Sequence, residues 1–356
     1  MLRRAWQEAP GNIRVMGRGH SFNDICNTDG TLINLTRRMN QVLELNADSR
    51  TLRVQGGITY TGMFEYLRDT EWALPNTASM PHFSLSGAIS TGVHGSSGVD
   101  PVSGRPYLGN LGSAVKSLTL VIHDGSTVRI SRDDADGGAK LNTAIVGLGC
   151  LGVVAEVELD LVPTFNVAQS CYHDIPARNL IENYHALLES HDSLSCMVDW
   201  PRDNTRWIFA RRFVEAGDTR VPDYPSELYG GRLEERAWGQ RGDDGVYRGS
   251  IATVTDLWSD VLPFNMPAIN GRSTGEENVS RSDESAEMDE VQAEYFVSLA
   301  DAVPALEATY SVAGKWHDTV DGSEDGALIC KLCELRCVRG DDQTLSTVRG
   351  RDSLVM

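Results

Sequence analysis

Short runs in which apolar and polar residues alternate recur along this 356-residue chain, each bounded by turn-forming residues. The stretch 13–17 reads as a strand ending at Gly17. Residues 42–45 and 52–54 flank the turn Asn46-Ala47-Asp48-Ser49-Arg50 and read as a hairpin. A second hairpin runs through 115–122 and 127–130 about Asp124-Gly125. Leu118, Leu120 and Ile122 share one of its faces, because residues two apart in a strand point the same way. Val157, Leu159 and Leu161 alternate with Glu158 and Asp160 ahead of Pro163, the pattern of a half-buried strand. Met63 and Phe64 stand four and three residues before Leu67, which predicts a short amphipathic helix over 61–70.

After Pro163 the texture changes, and a chain of this length exceeds the usual size of one domain. Two domains are therefore expected, 1–163 and 164–356. In the second, 304–310 fits the first turns of a helix, and 327–338 reads as a strand with Glu334 and Arg336 on one face. Trp200, Trp207, Phe209, Trp258, Phe264, Tyr295 and Phe296 read as core residues ahead of pocket walls. Residues 215–227 and the acidic segment ending near Glu290 read as surface. Internal repeats and low-complexity tracts are absent from the sequence.

Charge narrows the function classes. Lys and Arg total 32 against 50 Asp and Glu, a net charge of −18, which argues against binding a nucleic-acid backbone. The acidic group Glu276, Glu277, Asp283, Glu284, Glu287, Asp289 and Glu290 lacks calcium-loop spacing and reads as a solvated loop. Seven scattered cysteines do not suggest a secreted disulfide framework. Cys330, Cys333 and Cys337 lack a fourth ligand at matching spacing, so no metal is expected. The first residues carry no apolar core of a signal peptide, and the apolar run 144–155 is too short to span a bilayer and holds three glycines. A cytoplasmic protein without a membrane anchor is the expectation.

The chemistry is concentrated in glycine-rich segments. In Arg18-Gly19-His20-Ser21-Phe22, Gly17 and Gly19 let the backbone turn and approach a ligand with no Cβ in the way. Such a turn can present backbone N–H groups to a pyrophosphate. His20 could act as a nucleophile toward an electrophilic cofactor carbon or simply hydrogen-bond to the backbone. The segment 74–96 reads as a long polar loop whose only ionisable side chains are histidines, which suits an extended cofactor that needs many hydrogen bonds and a desolvated ring. Neither a GxGxxG fingerprint nor a nucleoside-triphosphate loop stands at the first segment. The Glu334/Arg336 pair could place a guanidinium beside developing negative charge, with the carboxylate orienting it; a surface ion pair is the alternative.

These segments, with Val54-Gln55-Gly56-Gly57, Val146-Gly147-Leu148-Gly149-Cys150-Leu151-Gly152-Val153-Val154 and Glu334-Leu335-Arg336-Cys337-Val338 followed by Asp341-Asp342, occur in the order seen in the vanillyl-alcohol-oxidase type of FAD-dependent oxidoreductase. Over nearly its whole length the chain resembles that family, most of all its alditol (xylitol or sorbitol) oxidases and more distantly its sugar-1,4-lactone oxidases. The resemblance implies an α+β fold: a PCMH-type FAD-binding domain of two α/β subdomains, plus a cap domain with an antiparallel sheet flanked by helices. It implies FAD attached covalently through His20. The further cofactor-binding residues are Gly17, Arg18, Gly19, Ser21, Phe22, Ser79, Ser86, Gly87, Ser90, Thr91, Gly92, His94, Gly95, Gly149, Gly152, Val153 and Val154. Arg336, Glu334 and Ser79 are its implied catalytic residues, Ser79 through a substrate-contacting hydroxyl.

The implied reaction oxidises a terminal primary alcohol of a polyol to the aldose and passes the electrons to oxygen, giving hydrogen peroxide. The expected partners are thus a polyol and oxygen, with a monomer as the expected state. Against the family pattern the sequence is shorter at both ends: relatives carry a leading strand-helix segment, and they continue past Met356 with a strand holding a histidine and a later lysine. Two alternatives stay open, a sugar-1,4-lactone oxidase such as D-arabinono-1,4-lactone oxidase and a catalytically impaired flavin-binding remnant.

Overall fold

A computed structural model describes residues 13–21, 23–78, 81–97, 109–216, 223–234, 250–253, 292–316 and 333–356. The chain begins with β1 (Ile13–Met16) and β2 (Thr31–Asn34), which pair in parallel. The expected hairpin follows as β3 (Val42–Asn46) and β4 (Thr51–Gln55). Next comes α1 (Tyr60–Leu67), whose Tyr60, Met63, Phe64 and Leu67 fall on one buried stripe. Thr59 caps it: its hydroxyl oxygen accepts the Gly62 N–H at 3.2 Å. After β5 (Trp72–Ala73), α2 spans Leu85–Ser90.

That second helix differs from the loop expected across 74–96. Leu85, Ala88 and Ile89 are buried at helical spacing, and the serines and glycine among them hide this periodicity in the sequence. Beyond it, β6 (Val115–Val121) and β7 (Thr127–Ser131) form the second hairpin, then α3 (Ala139–Ala144) leads to β8 (Val153–Asp160). The strand order is β3-β4-β8-β6-β7, so β8 lies at the centre of a five-stranded sheet. It starts earlier than the alternation at 157 suggests, because Val153 and Val154 pair with β6 at Val121 and Leu120. Its buried face, Val157 and Leu159, joins Leu52, Val54, Phe64 and Leu118 in the first core. On its other face Glu156 meets Arg53 at 3.1 Å, Glu158 meets Arg129 at 2.9 Å and Asp160 meets Arg132 at 2.7 Å. These half-exposed pairs favour the register by a few tenths of a kcal/mol each, up to about 1 kcal/mol.

The strand β9 (Val162–Pro163) returns to β5, and β10 (Phe165–His173) opens a second, larger sheet. Helices α4 (Ala177–Glu182) and α5 (Tyr184–Glu189) precede β11 (Ser193–Asp199) and β12 (Asn204–Glu215). Three short strands follow, β13 (Glu227–Leu228), β14 (Gly231–Leu233) and β15 (Ser250–Thr253). The last elements are β16 (Phe296–Ser298), α6 (Ala302–Trp316), β17 (Cys333–Val338) and β18 (Ser353–Val355). Among the described residues this sheet has nine antiparallel strands, ordered β13-β14-β10-β12-β11-β17-β18-β16 with β15 also on β10. One face carries Ile208, Leu194, Cys196, Leu335 and Cys337 into a second core with Leu180, Tyr184 and Leu306 from the helices.

Trp200 is buried as expected, and Trp207, Phe209 and Phe296 are partly buried. Tyr295, expected inside, is 67% exposed, because it precedes the edge strand β16 and points away from Phe296's face. Trp258, Phe264 and the acidic group 276–290 lie outside the described residues, as does the part of the expected strand before Cys333.

The two cores are joined by a small apolar cluster of Ala73, Phe165 and Val167 and by polar contacts. The Ser97 N–H donates to the Cys337 carbonyl at 2.7 Å, and the Ser96 hydroxyl donates to the Leu194 carbonyl. Asn110, 1% exposed, donates from Nδ2 to Asp341 and Gln343 at 2.6 Å each, while its Oδ1 accepts the Gly112 N–H at 2.7 Å. Asn110→Ala removes all three and strands buried partners from both halves. It is expected to lower stability by about 1–3 kcal/mol, read as a shift in the urea midpoint without loss of secondary structure by circular dichroism.

Candidate functional site

At the end of β1 the chain turns hard against α2. A Cβ on Gly17 would lie 1.8 Å from the Ser84 Oγ, so only glycine permits this approach. Gly19 has φ of 76°, in the left-handed region that glycine enters freely. The turn presents Arg18, His20 and Ser21 to a cavity of about 830 Å³. That is toward the upper end for small-molecule and cofactor sites.

Three segments far apart in sequence wall this cavity. The first is the turn itself, with Gly17, Arg18, Gly19, His20 and Ser21. The second is α2 and its C-terminal end, through Ser86, Gly87, Ser90, Thr91 and Gly92. The third is the loop into β8, through Gly149, Gly152, Val153 and Val154. In that loop Leu148 and Gly149 take φ of 52° and 74°, and a Cβ on Gly152 would lie 2.7 Å from the Val121 carbonyl oxygen. Gln292, Ala293 and Glu294, which lead into β16, bring a fourth wall from the nine-stranded sheet.

His20 stands at the heart of the first segment. Its ring centroid is 4.5 Å from that of His82 and 5.0 Å from that of Phe83, which it meets edge-on. Burial, with the nearby His82 and Arg18, pushes its pKa down to about 4. Its Nδ1 is buried without a hydrogen-bond partner among the described residues. A neutral imidazole with an unused nitrogen in a glycine-lined cavity is suited to meeting a ligand atom. Burial, then Arg18, lowers the His82 pKa too.

Other expected site residues lie behind the wall or beyond the description. His94 and Gly95 do not line the cavity: a Cβ on Gly95 would lie 2.3 Å from the Thr77 carbonyl oxygen, and His94 Nδ1 is 2.9 Å from the Gly95 carbonyl oxygen. Glu334 and Arg336 form an ion pair on β17 outside the lining residues. Phe22 and Ser79 lie outside the described residues.

Glu294 links these groups, and the sequence reading passed over it. Its Oε1 is 3.5 Å from His94 Nε2, and its charge acts on Arg336. Its only signal in the sequence is a period of two with Phe296 at the start of an apolar strand. Burial opposes the charge of Arg336, but Glu334 and Glu294 outweigh it and hold the guanidinium above its ordinary range. The residues fit a flavin: a glycine cradle for a polar chain, apolar Val15, Ile122, Leu148 and Leu151 along the wall, and an unpartnered imidazole nitrogen.

Comparison with known proteins agrees with this geometry. Residues 2–131 match the model of an FAD binding domain. An alditol oxidase from Streptomyces sp. (strain IKD472 / FERM P-14339) is 30% identical over 358 residues, covering all of this chain and 74% of that enzyme. A D-arabinono-1,4-lactone oxidase from Eremothecium gossypii is 34% identical over 265 residues, covering 73% of this chain but only 45% of that protein. In fold, a cholesterol oxidase from Brevibacterium sterolicum superposes with a TM-score of 0.67 at 14% identity, covering 99% of this chain and 73% of that one. No helix among the described residues is long and apolar enough to cross a membrane. With a parallel strand pair and a five-stranded sheet at the cavity, an antiparallel sheet backed by helices beyond it, and an alditol oxidase that aligns with the whole of this chain, the chain belongs to the vanillyl-alcohol-oxidase type, PCMH-fold family of FAD-dependent oxidoreductases.

Proposed function

We propose that this protein oxidises the terminal primary alcohol of an open-chain polyol such as xylitol or sorbitol to the aldose, with oxygen reduced to hydrogen peroxide. The observation that carries this reading is the meeting of three glycine-bearing segments around one cavity, with the Glu334/Arg336 strand reaching it through Glu294. Residues 1–163 then hold the cofactor and residues 164–356 shape the substrate side. FAD, when bound, supplies the acceptor for the hydride and the route to oxygen. Arg336 stabilises the negative charge that develops on the substrate oxygen, and Glu334 holds the guanidinium in place and accepts hydrogen bonds from substrate hydroxyls. Ser79 offers a further hydroxyl to the substrate. The purified flavin-loaded protein, given xylitol or sorbitol under oxygen, is expected to release peroxide, and without oxygen its yellow colour is expected to bleach. A loaded protein inert toward all alditols would overturn the reading.

The lactone-oxidase relatives favour a second substrate class, a sugar-1,4-lactone. It is separated from the first by relative turnover of D-arabinono-1,4-lactone and xylitol, with the polyol expected to win.

His20 carries the FAD covalently in this proposal. His20 would hold the group through a ring nitrogen joined to its 8α-methyl carbon, with the imidazole as nucleophile and oxygen as the two-electron acceptor for the two hydrogens displaced. Acid-precipitated protein is expected to stay flavin-coloured, with the flavin on a tryptic peptide containing His20, whereas His20→Ala releases all its flavin. Colour retained by His20→Ala would move the attachment elsewhere.

Only the neutral ring is a nucleophile, and His20 becomes charged only near pH 4. When FAD is added to flavin-free protein, the rate of acid-stable attachment is therefore expected to stay level from pH 8 to about 5.5 and to fall as the pH drops through about 4. A histidine with the ordinary pKa of about 6.5 would already be half inhibited at about pH 6.5 and roughly 90% inhibited at about 5.5. A midpoint near 6.5 would reject the burial argument.

A further inference from the structure

Arg336, Val355 and Phe296 stand directly opposite one another across β17, β18 and β16, so their side chains share one face of the sheet. The ladder runs on beyond β16: Tyr295 and Met356 exchange both N–H···O bonds at 3.0 Å. Glu294, two residues before Phe296, therefore falls on the face that carries Arg336 and Glu334. His94 arrives from the other half of the molecule, with its ring edge-on to Phe296 at 5.7 Å and its Nε2 3.5 Å from Glu294 Oε1.

Accessibility orders this cluster. The Glu294 side chain keeps 39% exposure and lines the cavity, while Arg336 and His94 are 16% and 4% exposed. A carboxylate that lines the cavity thus shares a sheet face with a buried guanidinium and lies against a buried imidazole. Arg336 donates from Nη2 to Glu334, and its Nε is buried without a hydrogen-bond partner among the described residues. A buried guanidinium held by one carboxylate on one side is poorly fixed in its plane, and a second countercharge across from the first restrains it.

We propose that Glu294 is a positioning residue for Arg336: its carboxylate, steadied by His94, holds the guanidinium from the cavity side while Glu334 holds it from within the strand. It acts through its charge, not by taking up a proton. The contact with His94 and the charge of Arg336 outweigh burial and keep the Glu294 carboxyl below its ordinary range, and a carboxylate in that state is a weak base. The arrangement also ties orientation of the substrate-side cation to a histidine of the cofactor half, so that the two halves must be docked for Arg336 to be aligned. This inference rests on the assignment of Arg336 to the reaction, but its structural part can be measured separately.

The test compares flavin-loaded wild-type protein with Glu294→Gln, which keeps shape and hydrogen-bonding capacity and removes the charge. Acid-stable flavin content is the control and is expected to be unchanged; its loss would make Glu294 a cofactor-binding residue and overturn the proposal. On xylitol, kcat is expected to fall at least tenfold with KM altered less than threefold. Independently of turnover, the Arg336 Nε–H resonance in a ¹H–¹⁵N spectrum, assigned by its disappearance in Arg336→Lys, is expected to shift or broaden in Glu294→Gln. An unmoved resonance, or a kcat within twofold of wild type, overturns the role. If the wild-type protein oxidises no polyol, the proposed reaction falls, and the resonance still decides for or against Glu294.

Discussion

The Ser97 amide bonded to the Cys337 carbonyl fixes the relation between the halves of this molecule. Ser97 follows directly on the segment that runs from α2 along the cavity wall, and Cys337 is one residue from Arg336. This backbone bond therefore ties the position of the cation on β17 to the half that carries His20. The neighbouring bond from Ser96 to Leu194 anchors the same segment to β11, the strand paired with β17. Two adjacent residues thus grip two adjacent strands, which restrains both slide and tilt between the sheets. Asn110 adds a third point through Asp341 and Gln343.

Close backbone approach is the second constraint. Gly17 lets the β1 turn press on Ser84, and Gly152 lets the loop before β8 press on Val121. Any side chain at either place would push one cavity wall away from its support. The cavity is therefore shaped from behind, by contacts between segments, as much as by the residues that face it.

These glycines explain why so much of the site was legible in the sequence. A wall built from backbone leaves a compositional mark, and the segments at 17–21, 86–92 and 149–154 could be read without knowing how they meet. Both hairpins, α1 and the strand before Pro163 were legible because each has an apolar face with the period of its own element. The helix α2 was not, since its apolar residues are diluted by serines and glycine. Which side of the wall a residue occupies was not legible either: His94 and Gly95 belong to the right segment and lie behind it. Glu294 is the clearest case. Its neighbourhood comes from strand register across β16, β18 and β17 and from a histidine 200 residues earlier, and no local pattern encodes such a meeting.

The polar contacts that make up most of the seam near the cavity have a consequence for access. The two apolar cores are closed separately, one beneath the five-stranded sheet and one beneath the helices of the larger sheet. Away from the small apolar cluster of Ala73, Phe165 and Val167, parting the halves slightly would break a handful of hydrogen bonds, each worth about 0.5–1.5 kcal/mol net, and would wet neither of the two large cores. Local opening is cheapest where few apolar contacts must be given up. A molecule built in this way can admit and release a bulky guest by breathing along its joint, while each half keeps its own fold throughout.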